Sequence, residues 1–141
     1  MKQANWLVAV TLMLLSGVAF AQLNSDSRIV AQVPFNFTVA NRIVPAGKCE
    51  VRMATMGWRI LRISNADSNV NLFSPSYQTE GKQGAPHYAL VFKRYGDRYF
   101  LSGIKLEGSK IAYRLPESKV EAELRAQNEP ATEDILLASL E

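Results

Sequence analysis

The chain has one cysteine and one histidine among its 141 residues. With Cys49 alone no intramolecular disulfide can form, and His87 with scattered acids gives no cluster at metal-ligand spacing. There is no Gly-x-Ser-x-Gly elbow for a serine nucleophile, no phosphate-cradling glycine loop and no dinucleotide fingerprint. Outside the acidic C-terminal segment the acids are Asp26, Glu50, Asp67, Glu80, Asp97 and Glu107. Most of these sit at turns or at solvent-facing positions, where a hydrated surface role is the default. The sequence therefore nominates no catalytic residue, no metal ligand and no cofactor, and no enzyme is expected.

Long apolar runs are also missing after the N-terminus. Met1 to Ala21 carries Lys2, then an apolar stretch from Trp6 to Val18, then Ala19-Phe20-Ala21. This is the order of a secretory signal with a small-x-small cleavage site, so residues 1–21 are expected to be removed before Gln22. The apolar stretch is shorter than the roughly 20 residues that span a bilayer, and no cysteine follows it to take a lipid. A periplasmic or secreted product with no transmembrane segment after cleavage is the expectation. In that oxidising setting an unpaired Cys49 is unusual. The alternation Cys49, Val51, Met53 against Lys48, Glu50, Arg52 puts the thiol on a buried strand face, as a small hydrophobe rather than a nucleophile.

Charge is unevenly distributed. From residue 115 onward the acids Glu117, Glu121, Glu123, Glu129, Glu133, Asp134 and Glu141 face only Lys119 and Arg125, whereas residues 22–114 are basic. Export and the scatter of the basic residues argue against nucleic acid. The expected arrangement has Arg and Lys on water-facing strand surfaces with the acidic tail packed across them.

Short alternating segments separated by turns fill residues 22–114. Phe35, Phe37 and Val39 alternate with polar residues, and Pro45-Ala46-Gly47 is a turn in which Gly47 accepts a positive φ. Trp58 to Ile63 is dense enough in apolar residues to suggest a strand covered on both sides. Residues 74–86, rich in Ser, Gly, Gln and Pro around Tyr77, predict a loop. Tyr95-Gly96-Asp97 between residues 87–94 and 98–104 predicts a hairpin. The pattern predicts an antiparallel β-sandwich or small barrel of about seven to eight short strands. It divides the chain into a leader (1–21), a β domain (22–114) and an acidic C-terminal helix and tail (115–141). The helix is expected from Pro116 to Ala126, with Pro116 in its first turn. Ile135, Leu136, Leu137 and Leu140 then form an apolar patch free to dock, bind or fray.

Binding residues are best sought where Tyr and Arg concentrate. Tyr88, Arg94, Tyr95, Arg98 and Tyr99 lie on or beside the hairpin, and Tyr77 lies in the preceding loop. The competing reading has Tyr88, Leu90 and Phe92 filling the core while the arginines stack on tyrosine rings at its rim. Trp58 after Gly57 has the same two readings.

Val33-Pro34-Phe35-Asn36-Phe37, Val44-Pro45-Ala46-Gly47, Ile60 to Asp67, and Val91 to Ser102 with its Tyr95-Gly96-Asp97-Arg98-Tyr99 together resemble a set of small exported proteins of uncharacterised function, abundant in acidobacterial genomes. The resemblance covers most of the chain between leader and helix and is most specific in its last segment. It implies a compact β domain with a charged C-terminal helix, and no activity. Cys49, where an aromatic is usual, and Lys105, where Trp is common, depart from the pattern. The functional expectation is an exported, non-enzymatic module with a binding or structural role in the periplasm or envelope or outside the cell. Its partner would be an envelope protein or a glycan. Carbohydrate recognition through the Tyr88–Tyr99 hairpin is the first alternative, and a small hydrolase using His87 the second.

Overall fold

The computed structural model describes residues 28–141, so the leader expected over 1–21 lies outside the described residues. These residues form twelve strands: β1 (Ile29–Val33), β2 (Phe37–Val39), β3 (Arg42–Val44), β4 (Gly47–Met53), β5 (Ile60–Asn65), β6 (Val70–Pro75), β7 (Tyr77–Glu80), β8 (Ala89–Tyr95), β9 (Arg98–Lys105), β10 (Ile111–Arg114), β11 (Thr132–Leu137) and β12 (Ser139–Leu140). Among the described residues one helix, α1 (Lys119–Ala126), precedes the last two. The strands form two sheets, one in the order β12-β1-β4-β5-β6 and the other in the order β11-β8-β9-β10-β7. The β2–β3 hairpin joins the second sheet through a parallel pairing of β2 with β9. The architecture is an open sandwich with no closed barrel.

The core follows from period-two alternation, which sends every second side chain to the inter-sheet space. Ile29, Ala31, Val33, Cys49, Val51, Leu61, Ile63 and Leu72 come from the first sheet. Leu90, Phe92, Leu101 and Ile104 come from the second, with Phe37 and Val44 closing one end. A register shift between Val91 and Phe92 accommodates one extra residue in β9, and Ser102 Oγ there donates to the Val91 carbonyl at 3.2 Å. Gly47 has φ +143°, and a Cβ built on it would lie 2.6 Å from Asp67 Oδ2. The sequence expectation of a positive φ at this turn therefore has a second cause, because the Asp67 carboxylate must close on the Lys48 N–H at 2.9 Å.

Four expectations change. The doubly covered strand at residues 58–63 is instead β5 with ordinary alternation, Leu61 and Ile63 inward and Ile60 and Arg62 exposed. Trp58 belongs to a 3₁₀ turn before it (Met56–Trp58). The loop expected at residues 74–86 contains β7, a polar edge strand whose ladder to β10 supplies the pairing that its composition does not advertise. The helix begins at Lys119, not Pro116, because Ser118 caps it by accepting the Glu121 N–H at 3.1 Å. The apolar patch near the end is β11 and β12, which add to β8 and to β1 respectively. A single segment thus extends both sheets, and the helix is not the final element.

The acidic tail meets basic residues of the body at two points. Glu121 lies 3.9 Å from Lys93 Nζ, and Glu141 lies 3.6 Å from Arg28 and 3.8 Å from Lys48.

Candidate functional site

The hairpin residues do not converge on one surface. Arg94 pairs in register with Tyr99, and Tyr95 pairs with Arg98, so the four split between the two faces of the sheet. On the inner side Tyr99 stacks on Phe35 with centroids 3.7 Å apart, Phe35 packs edge-on against Phe92, and Arg94 sits 5.4 Å from the Tyr99 centroid. Arg94 Nε also donates to the Gly96 carbonyl at 2.6 Å, which fixes the turn. On the outer side Tyr95 is buried edge-on to Phe100, and burial, then the Glu121 and Glu117 charges, push its phenol pKa up. Tyr88 is half-buried against the core. Arg98 and Tyr99 border an open groove with Ile43 and Val120. Tyr77, in contrast, is not among the residues bordering that groove.

The two residues with nucleophile or base chemistry are also placed. Cys49 is fully buried, and desolvation followed by the Glu50 charge pushes its thiol up to about 12, so no thiolate is available. His87 is exposed ahead of β8. Among the described residues no three His, Cys, Asp or Glu side chains gather as a metal site would require.

An aromatic cleft lies where β5, β6 and β7 meet β10. It is open, about 390 Å³, and lined by Gly57, Trp58, Arg59, Ser76, Tyr77, Gln78 and Tyr113. Its local geometry is built by the 3₁₀ turn. Gly57 takes φ +76°, and Trp58 follows at φ +59°, a left-handed angle that bulky residues rarely adopt. That angle is held from the next strand, since Ser76 Oγ donates to the Trp58 carbonyl and the Ser76 N–H donates to the Arg59 carbonyl at 2.8 Å. Thr55 Oγ1 accepts the Ile60 N–H at 3.1 Å and closes the turn from the other side. The Trp58 ring then stacks on Tyr113, with centroids 5.5 Å apart and planes 27° apart. Tyr113 is buried and comes from the inner face of β10, whereas Tyr77 pairs with Arg114 and so turns to the outer face of the sheet, where it is 55 % exposed.

A smaller, more polar cavity of about 150 Å³ lies on the other side of Tyr77, between α1 and the outer face of the second sheet. Lys93, Arg114, Glu117 and Glu121 supply its charges. Glu121 is 4 % exposed, and its carboxyl is raised by burial against the opposing pull of Lys93. The Ser118 backbone N–H also draws on this carboxylate, while Ser118 Oγ accepts the Glu121 N–H. These reciprocal bonds are a capping box, so Glu121 serves the helix before any ligand.

The cleft can hold a flat ring. Stacked indole and phenol rings cover apolar C–H surface, while a guanidinium, an amide and a hydroxyl stand at the edge to exchange hydrogen bonds. Of its residues, Tyr77 was readable as a candidate, Trp58 was ambiguous, and Tyr113 gave no signal beyond its place in a short strand. No family model, curated protein or solved structure matches the chain.

Proposed function

We propose that this protein is an exported, non-enzymatic β-sandwich module that binds a carbohydrate in the cleft formed by Trp58, Arg59 and Tyr113. The observation that supports the reading is the Trp58 turn. A strained backbone, stapled by Ser76 and Thr55, holds a large aromatic ring at the mouth of an open cleft. Local strain of this kind costs on the order of 1–3 kcal/mol and persists where surrounding bonds over-determine it, commonly at ligand sites. The volume falls within the range of small-molecule sites, about 300–1,000 Å³. The cleft combines an apolar wall with polar edge groups, as a pyranose ring does with its C–H face and hydroxyl rim. A glycan of the cell envelope or its surroundings is the partner consistent with an exported chain.

Calorimetric titration with a panel of envelope and plant-type oligosaccharides tests this. At least one should bind, and Trp58→Ala should weaken it about tenfold or more, the loss expected for an aromatic contact worth about 1.5 kcal/mol. Binding that survives both Trp58→Ala and Arg59→Ala unchanged would remove the cleft from consideration.

A further inference from the structure

The outer face of the second sheet carries three cations that form no ion pair among the described residues. Strand register fixes which side chains share that face. Ala112 stands opposite Lys105 on one side and Thr79 on the other, and Arg114 stands opposite Gly103 and Tyr77. Tyr113, between Ala112 and Arg114, turns to the inner face. Lys105 and Arg114 are therefore diagonal neighbours on the outer face, with Cα atoms about 7–8 Å apart. Lys110, two residues before Ala112, has the parity of the same face.

Lys105, Lys110 and Arg114 border one cavity of about 340 Å³. Ala112 and Thr79 border it too, and their short side chains leave a depression between the longer ones. One wall is built from residues 83–86, a segment tied to the turn before β10. The Gly81 N–H donates to the Lys110 carbonyl at 2.8 Å, the Ala85 N–H to the Ser109 carbonyl at 3.0 Å, and the Gly108 N–H to the Ala85 carbonyl at 2.9 Å. Ser109 also lines the cavity, and its Oγ accepts the Ile111 N–H at 3.1 Å, which leaves the hydroxyl proton to donate.

The charge here is unbalanced. Among the described residues ion pairs are made by Arg28, Lys48, Arg52, Lys93 and Arg125, and not by Lys105, Lys110 or Arg114. Glu80 borders the cavity, but it stands opposite Ile111, so alternation turns its carboxylate to the other face from Thr79. Glu117 and Glu121 share the neighbouring cavity with Arg114, where Arg125 holds the first and Lys93 the second. Three cations gathered without a counter-ion repel one another, and an anion entering the cavity relieves that repulsion.

We propose that this cavity is an anion site for a phosphate group, with the Arg114 guanidinium engaging two phosphate oxygens, Lys105 and Lys110 supplying charge, and the Ser109 hydroxyl donating to a third oxygen. The planar guanidinium fork matches two phosphate oxygens, and a phosphate monoester carrying about −1.5 to −2 at neutral pH suits three cations better than a carboxylate does. The cavity lies near the lower end of small-molecule sites, about 300–1,000 Å³, so the phosphate enters with room for a small substituent. The site goes beyond the carbohydrate reading and is independent of it, because this cavity and the Trp58 cleft share no lining residue.

Calorimetric titration of the full chain with inorganic phosphate, glycerol phosphate, acetate and vesicles containing phosphatidic acid tests the assignment and separates the sources of the phosphate. At least one phosphate probe should bind saturably, and at least about tenfold more tightly than acetate, the scale of one charge-assisted hydrogen bond. Lys105→Gln and Arg114→Gln should each weaken that probe about tenfold or more. Lys110→Gln, at an exposed position outside the strands, should weaken it in the same direction, and an unaltered urea midpoint checks that each variant folds. Arg62→Gln removes the same charge from the first sheet and should leave binding unchanged. Tightest binding by inorganic phosphate, by glycerol phosphate or by the vesicles supports the site and identifies its source as the free ion, a small phosphoester or a lipid headgroup. No saturable binding, acetate as tight as phosphate, or a loss as large from Arg62→Gln as from Lys105→Gln overturns the proposal, and each leaves the carbohydrate reading standing.

Discussion

Trp58 combines an unfavourable backbone angle with a half-buried ring that packs against the core. Its carbonyl is taken by Ser76 and its ring by Tyr113, so the cost is met from two neighbouring elements. Cys49 is the opposite case, a residue with reactive chemistry that the fold silences. Its burial follows from alternation along β4 and was legible in sequence, because a period of two leaves only two faces. With the thiol pushed up to about 12 and fully enclosed, labelling by a thiol reagent near neutral pH should proceed only through opening of the domain. The labelling rate should rise with urea in step with unfolding. Fast labelling in native buffer would contradict the burial.

At the scale of elements, α1 illustrates a misread start signal. Pro116 looks like a first-turn residue, but Ser118-Lys119-Val120-Glu121 is a capping-box pattern and sets the boundary two residues beyond it. The box places Glu121 in a buried position, with consequences for pH. Burial raises its carboxyl above the ordinary carboxylate value of 4.5, so the folded chain holds this proton more tightly than the unfolded one. Its stabilising contribution is full below pH 4.5 and is lost as the pH rises through the raised folded value. Glu117 has the opposite sign. Its bond to Arg125 at 2.8 Å lowers its pKa, so its contribution is present above pH 4.5 and lost as the pH falls through the folded value. Glu121→Gln should therefore gain stability relative to the native protein as pH rises from about 4.5 to neutrality, measured by urea unfolding. A difference independent of pH would contradict this. Edge strands were harder to read than the helix. β7 has the sequence Tyr77-Gln78-Thr79-Glu80, and only its pairing with β10 distinguishes it from a polar loop.

For the whole molecule, the split between a basic body and an acidic tail becomes a closing device. The tail leaves the helix, extends the second sheet through β11, crosses at Ala138 and extends the first sheet through β12. The Ala138 N–H donates to the Tyr88 carbonyl at 2.9 Å, and Arg28 and Glu141 exchange backbone bonds at 3.0 and 2.8 Å. Removing residues 131–141 should expose the edges of β8 and β1, lower the thermal midpoint by about 10 °C or more, and promote association, since each kcal/mol moves a domain of this size by about 4 °C. A truncated chain as stable and monomeric as the native one would show that the strap is dispensable.

The sandwich class and the hairpin were legible because alternation and turn residues are local signals. Sheet order, the strap and the cleft were not, because each depends on contacts between residues far apart in sequence. Trp58 and Tyr113 illustrate this, standing 55 positions apart and stacked face to face. The hairpin tyrosines point the same way. Their composition suggested one surface, but the strand pleat divided Tyr95 from Tyr99.

Carbohydrate binding at the Trp58 cleft is the central claim, and the chain offers a direct probe. Its two tryptophans are Trp6 and Trp58, and Trp6 lies in the leader expected to be removed, so Trp58 is the single indole of residues 22–141. Titrating residues 22–141 with the oligosaccharide that binds in calorimetry should shift or quench the Trp58 emission saturably, and Arg59→Ala should weaken the change at the same ligand concentrations. Emission that stays constant while calorimetry records binding would place the ligand elsewhere on the protein and contradict the account.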